Sequence, residues 1–340
     1  MSTKHIGKQS VVFDNPPSII SSACVVGKKE GSGPLSDSFD YIYKDSFCGE
    51  KTWEKAECAM MKRAIKTALK KASAVPGDVD YIFAGDLLNQ CISSSYCIRD
   101  FGIPFFGLYG ACSTMAESLS LASLIIDGGF ADCAVAVTSS HFCSAERQYR
   151  FPLNYGGQRT PTAQWTVTGS GALVLKSSGD GPFVNAVTTG KVIDLGVNDV
   201  NNMGAAMAPA AYDTLSTHFS DFEIEPSYYD LIVTGDLGYI GSSLLLTMFS
   251  RYNVSLAENY NDCGMMIFNR EKQDVHGGGS GCGCSASVLA GHILNGIRSG
   301  KWKKVLFAAT GSLQSPTTSQ QGETIPGICH AVSISSERER

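Results

Sequence analysis

The chain has 340 residues, of which 43% are hydrophobic and 17% charged, enough apolar material for a sizeable core and too little charge for a disordered or coiled-coil chain. Its formal net charge of -5, from 27 basic and 32 acidic residues, offers no electrostatic footprint for nucleic acid. Twelve scattered cysteines in a chain of this length predict free thiols in a reducing, cytosolic compartment rather than a disulfide framework.

In chain order, residues 1–14 carry Lys4, His5 and Lys8 with no apolar run behind them, so no secretory signal is expected; no stretch reads as a membrane span. Residues 28–50, with Gly31, Gly33 and Pro34, read as loop. From Trp53 to Lys71, apolar residues at 60, 61, 64, 65, 68 and 69 form a helical stripe that Pro76-Gly77-Asp78 closes off. Ile82 to Leu87 is a buried strand, followed by a small-residue turn around Cys112 and a helix from Met115 to Ile126 that stops near Gly128. Cys133 to Thr138 is a second buried strand, residues 141–168 form a long excursion containing Arg147, Arg150 and Arg159, and Gly171 to Leu175 is a third strand. The same grammar returns as a strand Leu231–Leu237, a Cys284-Ser285 turn, a helix Ser287–Ile297 stopped near Gly300, and a strand Val305–Thr310.

The return is a repeat. Residues 80–87 read Asp-Tyr-Ile-Phe-Ala-Gly-Asp-Leu and residues 230–237 read Asp-Leu-Ile-Val-Thr-Gly-Asp-Leu. At a second constant offset, Cys112 matches Cys284, Gly128 matches Gly300, Phe130 matches Trp302, Thr138 matches Thr310 and Ser140 matches Ser312. Strands alternating with helices predict parallel sheets covered on both faces. Two copies give a layered α/β/α/β/α sandwich with two central helices back to back, divided at 1–178 and 179–340.

Each chemistry-bearing residue also admits a plain structural role. Cys112 at the start of a helix feels the positive end of the dipole, which favours a thiolate, and neighbouring backbone N–H groups can hold an anion; a buried, unreactive cysteine is the plain alternative. A nucleophile needs a base. His141, at the carboxyl edge of the Cys133–Thr138 strand, is one, with His218, His276, His292 and His330 as others, each as easily structural. Cys282 and Cys284 lack the spacing of a zinc site, and the surrounding glycines lack the pattern of a phosphate or dinucleotide loop, so no metal and no cofactor is expected. Asp86 and Asp236, symmetric at strand ends, read as structural acceptors that could also meet a ligand.

With Gly110-Ala111-Cys112-Ser113-Thr114 at the nucleophile turn, Thr168-Gly169-Ser170-Gly171-Ala172 before a strand, and duplicated halves, the chain resembles the thiolase-like superfamily of thiolases and ketoacyl synthases. The strings Ala84-Gly85-Asp86-Leu87-Leu88-Asn89-Gln90, Ile126-Asp127-Gly128-Gly129-Phe130-Ala131, Thr138-Ser139-Ser140-His141, Tyr155-Gly156-Gly157-Gln158, Ala206-Met207-Ala208-Pro209-Ala210-Ala211 and Asn261-Asp262-Cys263-Gly264 bring the resemblance closer to the stage V sporulation protein AD family of spore-forming bacteria, over essentially the whole chain.

That resemblance implies a thiolase-like five-layered sandwich from two βαβαβαββ-type halves. It also implies a binding protein for dipicolinic acid (pyridine-2,6-dicarboxylate) or its calcium chelate, serving a spore channel complex in ligand uptake during sporulation and release in germination. Such a protein would sit peripherally on the cytoplasmic side of the forespore or spore inner membrane with integral channel subunits as partners, with homodimerisation a further expectation from the superfamily. Thiolases carry a Gly-His-Pro histidine and a second cysteine; the matching stretches here, Gly277-Gly278-Gly279-Ser280-Gly281 and Ala309-Thr310-Gly311-Ser312, have neither, which implies binding without turnover. The expected ligand site comprises Cys112, Ser113, Asp86, Ser140, His141, Gly279, Ser280, Gly281, Gly327 and Ile328, with Arg147, Arg150 or Arg159 as carboxylate partners. The alternative is an active acyl transferase that uses Cys112 with an unconventional base such as His141.

Overall fold

Strand residues that are apolar on both faces must be covered on both faces, and their alternation shows what covers each. In the segment Cys133–Ser140, Ala134 and Ala136 join one buried cluster while Cys133, Val135 and Val137 join another; in Lys304–Ser312, Val305, Phe307 and Ala309 point one way and Leu306 and Ala308 the other. The structure, a computed structural model, describes residues 4–149, 158–256 and 258–339. Arg150 and residues 155–157 of the Tyr155–Gln158 string lie outside the described residues.

The chain runs through β1 (His5–Ile6), β2 (Ser10–Val12), β3 (Ser18–Val26), β4 (Tyr41–Ile42), α1 (Trp53–Lys71), β5 (Tyr81–Gly85), α2 (Ile92–Ile98), β6 (Phe105–Leu108), α3 (Thr114–Asp127), β7 (Cys133–Ser140), α4 (Phe142–Tyr149), β8 (Trp165–Thr166) and β9 (Gly169–Lys176). It continues through β10 (Phe183–Thr188), α5 (Met203–Phe222), β11 (Leu231–Thr234), α6 (Gly238–Ser250), β12 (Tyr260–Asp262), α7 (Cys263–Met266), β13 (Gly279–Ser280), α8 (Cys282–Val288), α9 (Leu294–Arg298), β14 (Lys304–Ser312), α10 (Pro316–Gln320) and β15 (Gly327–Ser335).

The sequence repeat is a structural one. The first copy orders its strands β6-β5-β7-β9-β3, with β6, β5 and β7 parallel and β9 antiparallel to β7 and β3. The second orders them β12-β11-β14-β15-β10, with β12, β11 and β14 parallel and β15 antiparallel to β14 and β10. Between them lies a helical layer. Met115, Leu119 and Ile126 of α3 share one core cluster with Val288 of α8, Leu294 of α9 and the inward residues of both sheets. α1 covers the outer face of the first sheet through Met60, Met61, Ala64 and Ile65, and α5 covers the second through Met207, Ala211 and Leu215. The five layers are therefore present as expected from the alternation of strands and helices.

Two local expectations are corrected. The second central helix begins at Cys282, not Ser287, because Gly281 at φ +102° turns the chain earlier, so Cys284 lies inside the first helical turn and not ahead of it. A π-helical turn, Leu289–Ile293, then joins α8 to α9. The excursion 141–168 contributes α4 and β8, the latter parallel to β13 of the other copy. All twelve cysteines are free thiols. No helix among the described residues is long and apolar enough to cross a membrane.

Candidate functional site

Parallel strands deliver the chain to one edge of a sheet, and loops at their carboxyl ends build the site. Here β5, β7, β11 and β14 all end at that edge. Between β6 and α3, Ala111 takes a left-handed φ of +51°, a conformation that costs a residue with a Cβ. This kink sets Cys112 two residues before Thr114, the first residue of α3.

Cys112 is 5% exposed and lines a cavity of about 370 Å³. The wall also includes Ser280 of β13, Ser312 at the end of β14, Gln164 before β8, Tyr149 of α4 and Gln314 before α10. Tyr109 and Tyr149 form one side, their hydroxyls 2.8 Å apart. Arg159 reaches the same wall while its guanidinium donates to the Gln164 carbonyl and lies 4.8 Å from the centre of the Trp165 ring.

Of the two readings of Cys112, the electrostatics around it favour the buried, protonated thiol. Burial pushes its thiol well above the usual range, and the nearby Asp236 carboxylate pushes it further. Asp236 is fully buried and held in place from three directions: it accepts from the Ser280 hydroxyl at 3.0 Å, the Gly281 N–H at 2.9 Å and the Thr310 hydroxyl at 2.9 Å. The Cys112 Sγ stands 3.9 Å from the Ser280 Oγ. The positive end of the α3 dipole is outweighed here by desolvation and a like charge.

Of the expected site residues, Cys112, Ser280 and Arg159 reach the cavity wall; the others that the structure describes do not line it. The Ser113 hydroxyl donates to the Gly110 carbonyl at 2.6 Å and holds the turn. Asp86 is buried, accepting from the Leu88 N–H and from the N–H and hydroxyl of Ser94. The Ser140 hydroxyl donates to the Val167 carbonyl at 2.7 Å and accepts from the Gly283 N–H at 3.1 Å. His141 is fully buried with both ring nitrogens engaged: Nδ1 accepts from the Cys143 N–H, which leaves Nε2 to donate to the Ser46 carbonyl at 2.7 Å. Burial lowers its pKa, so it is a neutral structural imidazole.

Gly279 pairs with Trp165 between β13 and β8, and Gly281 serves Asp236. Gly327 and Ile328 lie inside β15, opposite Ser312 and Gly311, so they form no loop over the cavity. Arg147 forms an ion pair with Glu54 away from the cavity. The remaining candidate histidines do not line it either: His218 bridges Thr188 and Tyr229, His330 accepts from the Gly190 N–H, His292 meets the Trp302 ring edge and His276 contacts Thr160 and Asp274.

Residues not anticipated carry much of the polarity. Gln164 donates its amide to the Asp236 and Gly279 carbonyls at 2.6 and 2.9 Å, leaving Oε1 buried with no partner among the described residues. The Ser312 hydroxyl and the Gln314 Oε1 are likewise buried and unpartnered. Three such atoms on one cavity wall are unusual, since buried polar atoms are normally hydrogen-bonded.

The fold is shared with solved structures of low sequence identity. A 3-oxoacyl-[acyl-carrier-protein] synthase III from Aquifex aeolicus VF5 superposes with a TM-score of 0.57 at 14% identity, over 94% of this chain and 99% of that one. A variant of Xanthomonas campestris OleA with cerulenin superposes with a TM-score of 0.61 at 11% identity, over 95% and 97%. These condensing-enzyme likenesses show the thiolase-like fold. In sequence, Stage V sporulation protein AD of Bacillus subtilis (strain 168) is 45% identical over 329 residues, 97% of each chain. A family model described as Stage V sporulation protein AD (SpoVAD) matches residues 7–335. A match spanning nearly every element of both copies, with the Cys112 turn inside it, makes the chain a member of the stage V sporulation protein AD family.

Proposed function

We propose that the chain is a non-catalytic dipicolinate-binding subunit of the spore channel complex, taking the acid or its calcium chelate into the cavity over Cys112 for uptake during sporulation and release in germination. It would act peripherally at the cytoplasmic side of the inner spore membrane beside integral channel subunits. The observation that carries the reading is the state of Cys112. Its thiol is held protonated beside Asp236, and no histidine lines the cavity among the described residues, so the turn suits holding a molecule better than attacking one. A ring bearing two carboxylates suits the remaining wall. Tyr109 and Tyr149 offer aromatic surface, and Arg159 and Ser312 offer donors. A role in sporulation follows from the family itself, which is named for a stage of that process and not for a reaction.

Titration calorimetry with dipicolinate, with and without calcium, tests the reading. Saturable binding that weakens in Cys112→Ala, with the fold retained, is expected; no heat from the wild-type chain overturns it. Intact mass after incubation with acetyl-CoA tests the rival acyl transferase, and an acyl adduct on Cys112 would favour it.

A further inference from the structure

We infer that the groove along the carboxyl-terminal half of α1 is a docking surface for an acidic, amphipathic segment of a protein partner, separate from the Cys112 cavity. Lys62, Lys66 and Lys70 follow one another at intervals of four residues, about 6 Å per step along the helix. They border a groove of about 530 Å³ whose apolar lining comes chiefly from Ala74, Val75, Pro76 and Phe101, with Leu69 buried beneath. Val75 is 61% exposed, a high value for a valine beside three ammonium groups.

Lys62 is tied across the groove to Asp100. Lys66 and Lys70 have no carboxylate partner among the described residues, on a chain whose net charge is -5. Compensation of the α1 dipole accounts for Lys70 and Lys71 in the last turn. It does not account for Lys66, one turn further in, or for the apolar surface alongside.

The shape selects the class of partner. A flat bilayer would meet the lysines without filling the concave groove that they border. Carboxylates at the lysine spacing occur four residues apart on a helix, or two residues apart on an extended strand, at about 6–7 Å. An apolar side chain between them would enter the groove floor, as in helix-in-groove recognition.

The test uses the full chain and two fluorescent peptides, one helical with Glu at every fourth position beside Leu, one extended with alternating Glu and Val. Gln-for-Glu controls and phosphatidylglycerol vesicles are run alongside. One acidic peptide should bind, its control should not, and salt should weaken it. Lys66→Glu with Lys70→Glu should lower affinity about tenfold, as should Val75→Asp, with thermal melting unchanged. The proposal fails if neither acidic peptide binds, if the double variant binds as wild type does, or if only vesicles bind in a lysine-dependent way.

Discussion

Cys112 and Ser280 approach each other from the two copies of the repeat, Sγ to Oγ at 3.9 Å, and the Ser280 proton is already given to Asp236. The serine oxygen can thus accept from the thiol, and the buried Asp236 charge behind it disfavours a second negative charge on the sulfur. This geometry stabilises S–H over S⁻.

Alkylation should report that state. Iodoacetamide labelling of Cys112 at pH 8, followed by peptide mass spectrometry, should be slower than labelling of an ordinary exposed thiol. Asp236→Asn removes the negative charge that raises the thiol's pKa and should speed labelling, while costing about 1–3 kcal/mol through disturbed buried hydrogen bonds.

Ser312→Ala should separate stability from affinity. The buried hydroxyl has no partner, so its loss should leave ligand-free stability within about 1 kcal/mol of wild type or raise it. Dipicolinate affinity should fall several-fold. Chemical denaturation and calorimetry on the same variant measure the two effects.

Gly311→Ala should disturb the nucleophile turn from behind. A Cβ there would sit 2.4 Å from the Gly110 carbonyl oxygen and 3.1 Å from the Ser113 nitrogen, both backbone atoms with little freedom. We expect a loss of about 1–3 kcal/mol in urea unfolding, with weakened ligand binding.

Stability should also depend on pH through Glu57. Burial first, and then the Asp86 charge, push its carboxyl up to about 8, while the serine hydroxyls of Ser139 and Ser144 donate to it. Unfolded, it titrates near the usual value of about 4.3. The folded chain therefore binds the extra proton between these values. The contribution to stability is full below about pH 4, declines as pH rises, and is gone above about 8. Melting temperatures measured from pH 5 to 9 should fall, and Glu57→Gln should flatten the curve.

The fold was readable in the sequence because duplication imposes a pattern twice. The paired Gly-Asp-Leu strand ends and the matching Gly128 and Gly300 stops mark equivalent elements, and the α1 stripe sets its own limits at Trp53 and Lys71. Cys112 was readable from its turn. Most of the cavity wall was not, because the copies diverge where they build it. Ser140 and its mate Ser312 occupy equivalent strand ends, yet one is consumed by the Val167 carbonyl and the other is left without a partner. Gln164 arrives from an excursion with no counterpart in the repeat, and its role depends on carbonyls of Asp236 and Gly279, far away in sequence. His141 looked like a base because of its place in the chain; the carbonyl of Ser46 that engages it comes from a loop no local pattern could bring there.

The N-terminal hairpin lies on the wrong half. β2 pairs with β10, and Asp221 on α5 receives the N–H groups of Lys8 and Gln9 and the Ser10 hydroxyl, while β3 and β10 meet at Ser18 and Phe183. A protease that cut the connection between β9 and β10 would release nothing: the leading fragment would still hold the trailing one like a clasp, and the nicked molecule would migrate as a single particle until denatured.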